Sequence, residues 1–63
     1  MKKVYIIFVK DLKENRVSVY DVYLNKDKAK FDVDELNDQA EKDNLESEVV
    51  YTLESYNINE EKL

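Results

Sequence analysis

The sequence predicts an α+β domain: a three-stranded antiparallel sheet of order 2-1-3, one helix on one face, and the chain order ββαβ. Three observations carry that prediction. Val4 to Val9 is an unbroken run of six apolar residues, mostly β-branched or aromatic, as expected for a strand covered on both faces. Residues 16–24 and 47–56 are again rich in Val and Tyr. Between them, Ala29, Val33, Leu36 and Ala40 recur at helical spacing.

The first strand is predicted over Lys3 to Lys10, with Val4, Ile6 and Phe8 on one face and Tyr5, Ile7 and Val9 on the other. Asp11 to Asn15 reads as the turn. The second strand follows over Arg16 to Leu24. A turn centred on Glu14-Asn15 pairs Val9 with Tyr20, Ile7 with Val22 and Tyr5 with Leu24. The opposite face then carries Ile6, Phe8, Val19 and Tyr23, interrupted by Asp21. A slip of one residue exchanges the two faces.

Two helix starts compete. Asn25 can cap a helix beginning at Lys26. Asp32-Val33-Asp34-Glu35 is a capping box, flanked by a staple pair, Phe31 and Leu36. On one continuous helix Phe31 falls opposite the apolar stripe, among the acids, and the Asp32 cap removes that conflict. The main helix is therefore placed at 33–44, with an earlier turn over 26–30 left open. The third strand is expected over Ser47 to Tyr56. Val49, Tyr51 and Leu53 share one face; Val50, Thr52 and Tyr56 share the other. Asn57 to Leu63 reads as a polar, frayed tail. A right-handed crossover returns the third strand parallel to the second, beside the first.

At 63 residues, with no Cys, His, Gly, Pro or Trp, the chain is a single domain of 1–63 with a marginal core. Disulfides, thiolate zinc sites and imidazole ligands are excluded. Oligomerisation is the remaining way to reinforce so small a fold. One helix covers one sheet face, so the other face exposes apolar side chains. We expect a homodimer interface there, formed by Val4, Ile6, Phe8, Tyr23, Val49 and Tyr51. The apolar run is too short for a membrane span, which needs about 20 residues. It is also too short for a signal peptide, and Lys10-Asp11 follows it directly. A soluble, cytoplasmic protein is expected.

The inventory of chemistry is thin. There is no His for acid–base work at neutral pH. Ser18, Ser47 and Ser55 have no adjacent base, and no Gly-rich phosphate loop is possible. Asp32 with Glu35 imitates a paired-carboxylate site, yet capping explains both residues. Asp32-x-Asp34 begins a calcium-loop pattern that no Gly continues. No catalytic residue, cofactor or metal is expected.

The segments Lys3-Val4-Tyr5-Ile6-Ile7 and Val22-Tyr23-Leu24-Asn25-Lys26-Asp27-Lys28-Ala29, with a Tyr near the end, resemble small phage and prophage proteins of low-GC bacteria. In those, a hairpin, a helix and a closing strand span most of the chain. This sequence departs from the pattern at Phe31, two residues after Ala29 where an aromatic three residues on is typical. The resemblance implies the fold and identifies no active site. By analogy with small acidic phage proteins, it implies an inhibitor of a host enzyme or defence system, anti-CRISPR proteins included, acting in the host cytoplasm.

Charge is the sharper feature. The chain carries 15 acids against 10 bases, a net of -5. Residues 1–31 hold eight bases and four acids; residues 32–63 hold two lysines and eleven acids. Asp34, Glu35, Asp38, Glu41, Asp43 and Glu46 are the candidate partner-binding residues. They would form an anionic face standing in for nucleic-acid phosphates in the basic groove of a host protein. The competing reading is a solvated helix face. Lys2, Lys3, Lys10, Lys13 and Arg16 offer an alternative, a basic hairpin that binds nucleic acid, although the net charge opposes it. A structural or assembly module is the third reading.

Overall fold

The computed structural model describes residues 2–45 and 47–58. The chain forms β1 (Lys2–Asp11), β2 (Arg16–Tyr23), α1 (Lys26–Lys42) and β3 (Val49–Ile58). The sheet is antiparallel throughout, in the order β2-β1-β3. The predicted architecture and the central place of the first strand are therefore present. Ile7 lies at the middle of the buried side and is fully enclosed. Ala29 is also fully enclosed, and Val33 and Ala40 retain only 7% and 6% of their exposure. These four are the buried core of the described residues. The helix stripe, packed on the odd-numbered residues of β1, thus supplies three core residues, two of them alanines.

Among the described residues left-handed backbone is needed twice, and without Gly the chain uses Asn both times. Asn15 (φ 56) closes the hairpin loop, and Asn44 (φ 60) terminates the helix. Asn bears this conformation better than other residues because its short polar side chain bonds locally. At the hairpin, the Asp11 carboxylate accepts from the amides of Lys13 (3.0 Å) and Glu14 (3.2 Å) and shapes the loop. At the helix end, the Leu45 amide bonds to the Ala40 carbonyl (2.7 Å) and the Asn44 amide to that of Glu41 (3.1 Å). This paired pattern satisfies carbonyls that a helix terminus leaves orphaned.

The structure corrects the predicted helix start. α1 is one helix from Lys26, capped by Asn25, whose side chain accepts from the Lys28 amide at 3.1 Å. Starting seven residues upstream of Val33 adds two turns and brings Ala29 into the core. The cost is the one foreseen: Phe31 faces outward, 63% exposed. Asp32 does not cap, because the helix runs through it without a break, and its carboxylate accepts the Tyr23 hydroxyl. The last strand is also displaced. It reaches Ile58, since Asn57 and Ile58 pair with Lys3 and Lys2, so the expected frayed tail does not begin at Asn57. Residues 59–63 lie outside the described residues.

A β-bulge corrects the hairpin register. Tyr5, Ile6 and Ile7 pair with Tyr23, Val22 and Asp21, whereas Phe8, Val9 and Lys10 pair with Val19, Ser18 and Val17. Tyr20 is the extra residue of β2. The Val22 amide turns to the Asp21 carboxylate at 2.8 Å. Cross-strand partners share a face, so Tyr23, beside Tyr5, lies on the helix side. Val49 and Tyr51, paired with Asp11 and Val9, lie there too. Of the six residues expected on the uncovered face, Val4, Ile6 and Phe8 are on it, and Tyr23, Val49 and Tyr51 are not. Val22 takes the opposite correction and joins Val17, Val19, Val50 and Tyr56 on the uncovered side.

Besides the Tyr23–Asp32 contact to β2, a two-bond polar contact ties the helix to β3. The Asn37 amide nitrogen donates to the Tyr51 carbonyl and its oxygen accepts from the Tyr51 amide, both at 3.0 Å. A helix side chain thereby completes the outer edge of β3 as a neighbouring strand would. Replacing Asn37 with Ala leaves a half-buried amide and carbonyl without these partners, which costs about 1–3 kcal/mol. Each kcal/mol lowers the melting midpoint by roughly 4–8 °C in a domain this small. Thermal melting and hydrogen exchange at the Tyr51 amide measure it. An unchanged midpoint with an equally protected amide would show that the contact contributes nothing.

Candidate functional site

The bulge and the Asn37 anchor together create a cleft. Because the anchor draws α1 toward β3, the helix-side surface of β2 is left partly uncovered. The bulge turns Tyr20 and Asp21 onto that surface, and Tyr23 follows two residues later. Tyr20 packs edge-on against Tyr51 across the central strand, with ring centroids 5.4 Å apart. On the facing wall, Asp32, Glu35 and Asp38 lie at three-residue intervals along one flank of α1, with Leu36, Gln39 and Lys42 between and beyond them. The space enclosed is about 450 Å³ and opens to solvent.

Four carboxylates therefore border one concavity, three from the helix and Asp21 from β2. Lys42 is the sole cation in the lining, and it pairs with Asp38 at 3.1 Å. Both partners are mostly exposed, so the pair offsets little of the negative potential. Phenol rings beside carboxylates suit an ammonium or guanidinium group, which can accept both charge pairing and contact with a ring face. Among the described residues, no three His, Cys, Asp or Glu side chains converge to hold a metal ion.

The sequence-predicted acidic residues separate into two groups. Glu35 and Asp38 line the cleft. Asp34 and Glu41 are exposed outside it, on the helix flank toward β3. Asp43 is the helix C-cap, and its carboxylate accepts from the Gln39 side chain at 3.1 Å. Glu46 lies outside the described residues. Sequence reasoning missed the β2 wall of Tyr20, Asp21 and Tyr23, and it assigned Asp32 to capping. The available signal was Asp21, a charge set within the apolar segment Val19 to Tyr23.

The basic residues are not gathered in the same way. Lys13 is held by Glu48 at 2.5 Å and Arg16 by Glu14 at 3.6 Å. The Glu48 carboxylate raises the Lys13 ammonium above the usual lysine value. Lys10 lies on the uncovered sheet face beside Val17 and Val50. Lys3 faces a smaller recess of about 230 Å³, shared with Lys26, Tyr5, Leu53 and Ser55. No helix among the described residues is long and apolar enough to cross a membrane.

Tyr23 is the most perturbed group at the cleft. Its hydroxyl donates to Asp32, with Asp21 nearby, so ionising the phenol would set an anion against carboxylates. Its pKa rises well above the ordinary 10, first through the Asp32 hydrogen bond and then through desolvation and Asp21. The stabilisation that accompanies a raised pKa is complete below pH 10 and is lost as pH climbs through the higher folded-state value. In a spectroscopic alkaline titration Tyr23 should ionise well above pH 10. Asp32→Asn should bring it back toward that value. Ionisation of Tyr23 near pH 10 in the wild type would show that the hydrogen bond does not hold in solution. No protein-family model, curated protein or solved structure matches the chain.

Proposed function

We propose that this chain is a non-enzymatic protein-binding module whose acidic helix flank and cleft engage a basic groove on a partner. In the setting implied by its resemblance to phage proteins, it is an accessory inhibitor in the host cytoplasm. There it blocks a host enzyme or a defence complex, CRISPR effectors included, by occupying the place of nucleic-acid phosphates. The observation that carries this reading is the cleft, where four carboxylates surround two tyrosines and meet one lysine. Arginine and lysine side chains that bind phosphates are the groups such a surface accepts.

The helix charge pattern supports the same reading. Like charges at close helical spacing destabilise by about 0.2–0.5 kcal/mol per pair. Asp34, Asp38 and Glu41 form such a ridge, at spacings of four and three, with Lys30 four residues before it and Lys42 paired with Asp38 at the last turn. Nucleic-acid binding through the hairpin is the rival, and two of its five cations are occupied by Glu48 and Glu14.

An arginine-rich peptide is a sufficient probe for calorimetry at several salt concentrations. The reading expects binding that weakens with salt. Glu35→Lys with Asp38→Lys should reduce affinity at least tenfold, about 1.4 kcal/mol. Asp34→Lys with Glu41→Lys, the same charge change outside the cleft, should cost clearly less. Each substitution is on the surface, so stability should move by only about 0.5 kcal/mol. Equal losses from both pairs would reduce the effect to net charge and remove the role of the cleft. Retardation of duplex DNA by the wild type at moderate salt would favour the hairpin reading.

A further inference from the structure

The alternation of β1 sends half of its apolar run away from the helix. Val4, Ile6 and Phe8 lie along the centre of that side, and the bulged register places Val17, Val19 and Val22 beside them on β2. The three valines of β2 keep 61%, 57% and 51% of their exposure. On β3, the Tyr56 ring meets Phe8 edge-on at 6.5 Å and remains 46% exposed. The shortest Cα dimension of the molecule is 11 Å, which is one helix layer on one sheet layer. Nothing among the described residues covers the opposite face.

We propose that this face is an isologous interface for a second copy of the chain, giving a helix–sheet–sheet–helix stack. This goes beyond the binding role of the cleft and uses the opposite surface. Area is the first argument. Ten residues of β1 at about 3.3 Å each give a length of about 33 Å, and three strands about 4.8 Å apart span about 14 Å. The face is thus about 450 Å² in projection, and side-chain relief raises its accessible area toward the roughly 800 Å² per partner of a standard interface. A smaller partner would leave apolar surface wet.

Charge is the second argument. Each copy carries -5, which opposes association unless the acids are turned apart. Among the described residues, Glu54 is the sole carboxylate on the uncovered face, and it accepts the Tyr56 hydroxyl at 2.6 Å. The helix acids are on the far side of the sheet. Sheets stack about 10 Å apart, and a similar spacing separates each helix from its sheet. The two acidic helices then stand about 30 Å apart, well beyond the screening length of about 8 Å at physiological salt. A contact through the helix would instead bring the acids together.

Light scattering on the purified chain at tens of micromolar should give twice the 7.5 kDa of one chain. The urea midpoint should rise with protein concentration. Val19→Lys with Val22→Lys changes two side chains already exposed in the single copy, so it should give a folded monomer and weaken association at least a hundredfold. Thr52→Arg, on the same face next to Phe8, should do likewise without altering the valines. A wild type of one-chain mass whose midpoint ignores concentration would overturn the proposal. So would a dimer that survives both variants, since that association would run through the β2 edge or the helix.

Discussion

The side-chain amide of Asn37 is the bidentate anchor between the helix and the sheet. Asn37 satisfies both backbone groups of Tyr51, and in doing so it commits α1 to the β3 side of the sheet. Apolar packing alone would not fix that choice, because a stripe containing two alanines slides easily over a flat sheet. A bidentate hydrogen bond is directional and tolerates little displacement. It also blunts an edge strand that would otherwise offer free backbone groups to another chain. The cleft over β2 is the remainder of that choice: a helix centred on the sheet would have filled it.

The charges of α1 are not arranged to stabilise the helix itself. A helix stabilised by its own charges would carry acids near the start and bases near the end. This one begins with Lys26 and Lys28 around Asp27 and ends with Glu41 beside Lys42. Its caps are polar and uncharged at the start, Asn25, and left-handed at the end, Asn44. The helix is therefore held by its termini and by the sheet. Its outward charges are free to serve another purpose, which is the premise of the proposed binding role.

The strand order and the helix were legible because they depend on patterns of composition. An apolar run on both faces marks a central strand, and four residues at helical spacing mark a stripe. The details that failed depend on competition between near-equal local signals. Asn25 and Asp32 are both good caps, and the balance was tipped by Tyr23, a residue nine positions away in sequence that takes Asp32 as an acceptor. The hairpin register failed twice: the loop is centred on Lys13-Glu14 and not on Glu14-Asn15, so Val9 pairs with Ser18 and not with Tyr20, and the bulge then adds one residue without a Gly to announce it. Those errors together displaced Tyr23 and Val22 to the wrong faces. Asn37 was invisible for another reason: beside the stripe, an Asn reads as surface until its partner strand is known. The acidic flank was legible as charge, while the cleft was not, since its other wall comes from β2.

The extra residue at Tyr20 also governs how the molecule tolerates change in length. A strand of alternating Val and Tyr without an irregularity is a template onto which further strands can be added, as in fibrils. The bulge interrupts that template in its middle and gives β2 two half-registers that no straight strand matches along its full length. Losing Tyr20 would straighten β2 while leaving Tyr23 opposite Tyr5, so the irregularity would go and the pairing would stay. Insertions and deletions are commonly absorbed by loops. Here a strand has absorbed one, and the deletion that looks mildest on paper, Tyr20 alone, is the one that would restore the uninterrupted template.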